Sequence, residues 1–304
     1  KPATAATVYR VGSISKLFTD IAVMQLVEEG KLDLDAPVQR YLPDFQPRNP
    51  FGVPVTLRQL MSHRSGLVRE PPVGHYFDPD EPTLTATVAS LNETELVYPP
   101  ETKTKYSNAA IAVVGAVLEQ QLDSSHPARI RQSILDPLAM SNSSFVITPQ
   151  VKPQLATGWM RTYDGRRLPA PEFLLGTGPA GNLYASVLDL SKFLSCLFND
   201  GQTESGRILK PETLDQMTMP IRDAKGISQG FGLGFHVQEF DGYRKIGHGG
   251  AVYGFSTQLE ALSERKLGVA AAAALDGSNG IVRRLADYAL RLMIATQDGQ
   301  AMPS

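Results

Sequence analysis

In the stretch Val8–Thr19 (VYRVGSISKLFT) a serine stands three residues before a lysine. If a helix opens there, Ser13 and Lys16 are i and i+3 and lie on one face. A lysine in that position can take the serine's proton, provided the amine is held neutral. Desolvation lowers an ammonium pKa, and a helix N-terminus disfavours a cation, so both would help. The four-residue pattern alone is weak, because Ser263–Lys266 (SERK) spells it again. That second match sits in a charged turn between predicted strands and reads as a hairpin tip.

Two further groups offer chemistry. Tyr106-Ser107-Asn108 places a phenol that can shuttle protons beside an amide that can both donate and accept. The alternative reading is a helix start, with Asn108 as cap and Tyr106 as packing. Gly247-His248-Gly249-Gly250-Ala251 surrounds one histidine with glycines at the mouth of a predicted strand. Glycines there permit backbone to approach a ligand, and Ala251 is placed to present an N–H to an oxyanion. A tight hairpin with an incidental histidine is the alternative.

Other motifs fail on context. Gly176–Gly181 (GTGPAG) spells a dinucleotide fingerprint without the strand before it or the helix after it. Gly226–Gly230 (GISQG) spells a nucleophile elbow, but a polar loop precedes it and a strand follows. The five histidines form no metal-binding spacing, so neither a metal nor a cofactor is expected. Cys196, the single cysteine, lies in an apolar helical pattern and reads as a small core residue.

The elements that must hold these residues are partly legible. Leu17, Ile21 and Met24 give an amphipathic helical period with Gly30 as its stop. Asn108 is expected to cap a helix over 109–121. Ser186 with Asp189 resembles a capping box ahead of Leu190, Phe193, Leu194 and Leu197. Ile281, Leu285, Tyr288, Ala289 and Leu292 form one stripe of a last helix. Strand signals fall at 230–240, 243–247, 253–263 and 266–275, separated by turns such as Asp241-Gly242 and Glu264-Arg265. Helices, then strands, then a helix predict an α+β architecture: an antiparallel sheet flanked by helices, with a mostly helical subdomain at about 31–185. The sheet and last helix occupy about 228–296, in a single catalytic domain over 1–304. Pro71–Pro82 reads as a long surface loop of the kind that rims sites.

The 304 residues are 42% hydrophobic and 20% charged, with a formal net charge of -2. That balance gives no reason to expect a nucleic acid or an anionic membrane as partner. The longest apolar runs fall well short of the ~20 residues of a membrane span. A start at Lys1 rather than Met suggests a processed N-terminus.

With the three motifs in this order, the chain resembles the serine β-lactamase and penicillin-binding-protein-like superfamily, in its class C β-lactamase-like branch. The segments Glu28–Phe45, Thr56–Leu67 and Ala180–Ser186 carry the same resemblance, which runs from about Val8 to Ala295. It implies that Ser13 is an acylated nucleophile, Lys16 its base or proton relay, and Tyr106 a partner in the proton work. Asn108 would hold the substrate amide, and His248, with Gly249 and Gly250, would take the place of a K-T-G-like motif. The N–H groups of Ser13 and Ala251 would form the oxyanion hole, and His63 would be structural.

Histidine in place of lysine at 248 looks more like the branch's D-peptidases and esterases than its antibiotic-degrading members. Family members also carry a helix and a hairpin ahead of the nucleophile, which the twelve residues before Ser13 do not supply. The expected function is a serine hydrolase using a covalent acyl-enzyme on a small-molecule ester, amide or β-lactam. The alternatives are a D-amino-acid-specific peptidase or carboxypeptidase, and a non-catalytic binding protein on the same fold. The resemblance favours a periplasmic or secreted location.

Overall fold

The computed structural model describes residues 2–220 and 230–300; the elbow-like Gly226–Gly230 therefore lies almost wholly outside the described residues. The chain opens with strand β1 (Val8–Arg10), which pairs antiparallel with β2 (Tyr184–Ser186). A tight turn over Gly12–Ile14 leads directly into helix α1 (Ser15–Glu28). Helix α2 spans Asn108–Leu122, α3 spans Val187–Phe198 and α4 spans Asn279–Gln297.

The main sheet has five antiparallel strands: β3 (Gly230–Phe231), β4 (His236–Phe240), β5 (Tyr243–Val252), β6 (Phe255–Leu262) and β7 (Leu267–Ala273). They lie in the order β7-β6-β5-β4-β3. Successive strands are neighbours because each hairpin is short. Asp241 and Gly242 both adopt positive φ (50° and 85°) in the β4–β5 turn, as the Asp-Gly signal predicts. The second Ser-x-x-Lys match forms the β6–β7 turn, where Ser263–Arg265 make one helical turn and Lys266 reaches φ 52°.

Three expectations need correction. Helix α1 is not amphipathic: Ser15 through Met24 are buried on every side, because α1 is the central helix. Sequence periodicity cannot separate such a helix from one with a single wet face. The cap of α2 is Ser107, whose Oγ accepts from the Ala110 N–H at 2.9 Å; Asn108 is the first helical residue and turns its side chain elsewhere. In α4 the stripe read from the sequence faces outward, with Ile281 and Leu285 more than half exposed. The helix packs on the sheet through Val282, Ala286 and Leu290 instead.

Ser186 does cap α3, accepting from the Asp189 N–H at 3.1 Å. The Asp189 carboxylate does not return to close the box. It holds the Asn142 N–H and the Ser143 hydroxyl, at 2.8 and 2.9 Å.

Candidate active site

Ser13 sits in the turn between β1 and α1, and several neighbours lock that turn. The Ser15 hydroxyl donates to Gly12 O at 2.6 Å and accepts from the Leu183 N–H at 3.0 Å. Val11 N–H donates to Leu183 O at 2.9 Å. The β1–β2 pairing therefore fixes the backbone around Ser13 against the segment that follows Gly176–Gly181.

Lys16 is fully buried one turn along. Its Nζ lies 3.1 Å from Ser13 Oγ and 2.8 Å from Ala180 O. The carbonyl comes from the short helical turn Gly178–Gly181, so the stretch that mimics a dinucleotide fingerprint is a support for the lysine. Pro179 O, one residue earlier, accepts from the Thr19 hydroxyl at 2.8 Å. Burial lowers the Lys16 pKa to about 7; Glu70 and Asp20 oppose the shift and Arg69 adds to it. The leading cause is desolvation, one of the two influences the sequence suggested.

Asp20, a further turn along α1, is completely buried, and neither carboxyl oxygen has a hydrogen-bond partner among the described residues. Burial raises its pKa well above the ordinary carboxylate value, with Lys16 opposing.

Tyr106 closes the other side. Lys16 Nζ lies 4.8 Å from its ring centroid, and the Tyr106 hydroxyl is shut off from solvent with no hydrogen-bond partner at ideal geometry among the described residues. Burial pushes the phenol pKa up, and the neighbouring Ser13 side chain pulls it down. His63 stacks against Tyr106 at 4.4 Å between centroids, and its Nδ1 accepts from the Ser107 N–H at 3.3 Å. Burial holds His63 neutral, well below the ordinary histidine pKa, so it acts as a backing for the Tyr106 segment.

The third motif is strand interior, not a hairpin tip. β5 runs through it, with His248 opposite Leu259 and Ala251 opposite Ser256 on β6. Pairing with β4 ends at Gly247. Beyond it, one edge of His248–Val252 has no strand partner and faces the turn that carries Ser13. The approach is close enough to require glycines. A Cβ on Gly12, at φ 55°, would meet Ala251 N at 2.9 Å, and one on Gly250 would meet Val11 O at 2.0 Å.

The His248 Nδ1 lies 2.6 Å from Gly249 O. A carbonyl only accepts, so Nδ1 carries the proton and Nε2 is left as a buried acceptor without a partner among the described residues. Burial lowers the His248 pKa to about 3, with Lys16 adding to the shift. The imidazole is therefore neutral at physiological pH.

The structure thus brings Ser13, Lys16, Tyr106, Asn108, His248, Gly249, Gly250 and Ala251 around one cleft. It adds two residues that no motif announced. Phe231, from β3, packs against His63, Tyr106 and His248. Glu70 accepts from Asn108 Nδ2 at 2.6 Å. That bond uses one of the amide's two N–H donors and leaves Oδ1 to face other groups. The Pro71–Pro82 loop does lie at the cleft: Tyr76 packs on Tyr253, just past Ala251, at 4.6 Å between centroids. Among the described residues no cluster of metal-ligating side chains is present, and no helix is long and apolar enough to cross a membrane.

A serine in the turn before a buried lysine helix, set against the unpaired end of the central strand of a five-stranded antiparallel sheet, marks the serine β-lactamase and transpeptidase fold. The sequence matches the Beta-lactamase family over residues 1–293, and the chain belongs to that family. It is 31% identical over 277 residues to beta-lactamase-like protein 2 of Dictyostelium discoideum, covering 88% of this chain and 50% of that protein. It is 28% identical over 192 residues to a Staphylococcus aureus teichoic acid D-alanine hydrolase, covering 63% and 46% respectively. The octameric penicillin-binding protein homologue from Pyrococcus abyssi superposes with a TM-score of 0.83 at 29% identity, over 97% of this chain and 67% of that one. The chain spans about half the length of the two curated relatives named. The family and these relatives place the chain among β-lactamase-like proteins.

Proposed function

We propose that the protein is a class C-like serine acyl hydrolase whose nucleophile is Ser13. The observation that carries this reading is Lys16, buried and held near pKa 7, 3.1 Å from Ser13 Oγ. A neutral amine can donate one N–H to Ala180 O while its lone pair accepts the serine proton. Ser13 Oγ then attacks the acyl carbon, and the C=O electron pair moves onto oxygen. The N–H groups of Ser13 and Ala251 receive that oxyanion, and each such donor is worth ~100- to 1000-fold in rate. The proton passes from Lys16 by way of Tyr106 to the departing oxygen or nitrogen as the acyl–enzyme bond is completed. Water then attacks the ester with the same groups in reversed roles. Asn108 contributes Oδ1, an acceptor for a substrate N–H.

The neutral His248 favours an esterase or amidase over a carboxypeptidase, since no cation of the third motif is present to hold a terminal carboxylate. Mass spectrometry after a fluorophosphonate tests the reading: a single adduct on Ser13 is expected, absent in Ser13→Ala. Turnover of p-nitrophenyl acetate and nitrocefin without any Ser13 adduct would sink it.

A further inference from the structure

Behind the turn that supports Lys16 lies a second cavity, of about 190 Å³, and none of Ser13, Lys16, Tyr106, Asn108 or His248 lines it. One wall is Pro179, from the same Gly178–Gly181 turn whose next carbonyl accepts from Lys16 Nζ. Leu84, Phe145, Val146 and Leu174 supply further apolar walls.

The polar groups not already used are all acceptors. His126 is 2% exposed, and its Nε2 lies 2.9 Å from Thr19 Oγ1. The Thr19 hydroxyl has one proton, which goes to Pro179 O at 2.8 Å, so His126 Nε2 must donate and carries the ring proton. Burial lowers the His126 pKa to about 3. The ring is therefore neutral, and Nδ1 is a lone pair with no hydrogen-bond partner among the described residues. Glu119, on α2, uses Oε1 to accept the His126 backbone N–H at 2.7 Å, and Glu81 uses Oε1 to accept the Leu174 N–H at 2.8 Å. The second oxygen of each carboxylate has no hydrogen-bond partner among the described residues, and no lysine or arginine lines the cavity. Asn182 ties its oxygen and an N–H to Leu175.

Apolar walls, two uncompensated carboxylates and an unused imidazole lone pair fit one kind of guest: a small apolar body with a positively charged donor. A neutral guest would leave the carboxylates uncompensated, and an anion would be repelled by them. The volume falls short of the ~300 Å³ of a drug-sized site, which limits the guest to about a single ring.

We propose that this cavity is a binding site for a small aryl- or alkylammonium ligand, separate from the hydrolytic cleft. The apolar body packs on Pro179 and Phe145, and the ammonium faces His126 Nδ1 and the free oxygens of Glu81 and Glu119. Binding is by ion pairing and packing alone, and it braces the turn on which Lys16 rests.

The test follows thermal unfolding of the native protein in benzylamine, benzyl alcohol and benzoate, three charges on one ring, at fixed ionic strength and neutral pH. Benzylamine is expected to raise Tm by about 2 to 4 °C at tenfold its Kd, and the other two to leave it in place. In the double variant Glu81→Gln, Glu119→Gln, each glutamine keeps the acceptor for its backbone N–H and removes the charge. Its affinity for benzylamine should fall by ~10-fold or more. Val146→Trp, at a lining position that is 39% exposed, should fill the cavity and abolish the shift, which keeps the idea testable if the double variant does not fold. In a crystal with 4-bromobenzylamine, anomalous scattering should place the bromine among Leu84, Phe145 and Leu174. Equal shifts with the alcohol, or a benzylamine affinity unchanged in the double variant, would overturn the ammonium class. No shift with any of the three, a shift that survives Val146→Trp, or bromine in the cleft would overturn the site. Ser13→Ala should keep the full benzylamine shift, so this site stands or falls apart from the hydrolase reading; a shift lost in Ser13→Ala would put the amine in the cleft and overturn the proposal.

Discussion

Lys16 and Lys245 are both withdrawn from solvent, at 0% and 3% exposure, yet their surroundings differ in kind. Among the described residues Lys16 hydrogen-bonds only neutral acceptors, Ser13 Oγ and Ala180 O, and pairs with no carboxylate. Lys245 pairs with Glu260 at 3.0 Å and closely with Asp287 of α4, and it lies over the Phe240 ring at 4.4 Å. Burial raises the Glu260 pKa, and Lys245 is the main influence lowering it. Lys245 and His248 lie three residues apart on β5 and so face opposite sides of the sheet. On one side a buried lysine without a touching anion has its pKa lowered to about 7; on the other, a lysine between carboxylates becomes a strut. Burial alone does not decide what a lysine is for; the charge of its first contact does.

The largest effect should come from the cleft side. Ser13→Ala is expected to lower kcat by about 10,000-fold or more, and Lys16→Met by about 100- to 10,000-fold. Steady-state esterase assays read both, and native-like rates in Lys16→Met would break the comparison at once. Next comes pH. Lys16 must be neutral to act, so kcat/KM should climb about tenfold per unit up to pH near 7 and level off above it. A limb that instead titrates near pH 10 would return Lys16 to an ordinary lysine.

The two lysines should then part in stability. Lys245→Met leaves Glu260 and Asp287 without their cation and should cost about 3 kcal/mol in urea unfolding, with specific activity of the folded fraction kept. Lys16→Met should stabilise by about 1 kcal/mol, because it removes a desolvated amine. The sign can be worked out from the pKa. Between about 7 and the ordinary value of 10.5 the unfolded chain binds the proton that folded Lys16 has released. Native stability should therefore rise with pH across that window, and Lys16→Met should lose the rise. A destabilised Lys16→Met would show that its two hydrogen bonds outweigh its desolvation. The smallest effect belongs to the cap of α2, next to Tyr106. Ser107→Ala should cost about 1 kcal/mol through its cap, and Asn108→Ala less through that route.

How far the sequence reaches is clearest residue by residue. The Ser13–Lys16 spacing, the Asp241-Gly242 turn and the Ser186 cap are local, and local chemistry made them legible. The identity of the α2 cap was one residue off, because Ser107 and Asn108 are both good caps. The outward stripe of α4 was visible as a stripe but not as outward, since two apolar faces run along that helix. Glu70 and Phe231 were not legible at all. Glu70 reaches Asn108 across 38 residues, and Phe231 meets Tyr106 from a distant strand end. Nothing in their own neighbourhoods marks them. The same holds for Ala180, whose part is played by a carbonyl that every residue possesses.

The close approach of Gly12 and Gly250 has a consequence for how this sequence can vary. At both positions an added methyl group would strike backbone, which has no room to turn aside. At Gly249 the first obstacle is Oε1 of Gln258, 2.9 Å away at the free end of a flexible side chain. In a saturation library selected for hydrolysis, positions 12 and 250 should therefore be invariant, while alanine and serine survive at the glycine between them and the histidine. Three glycines that look alike in the sequence would carry two very different substitution tolerances.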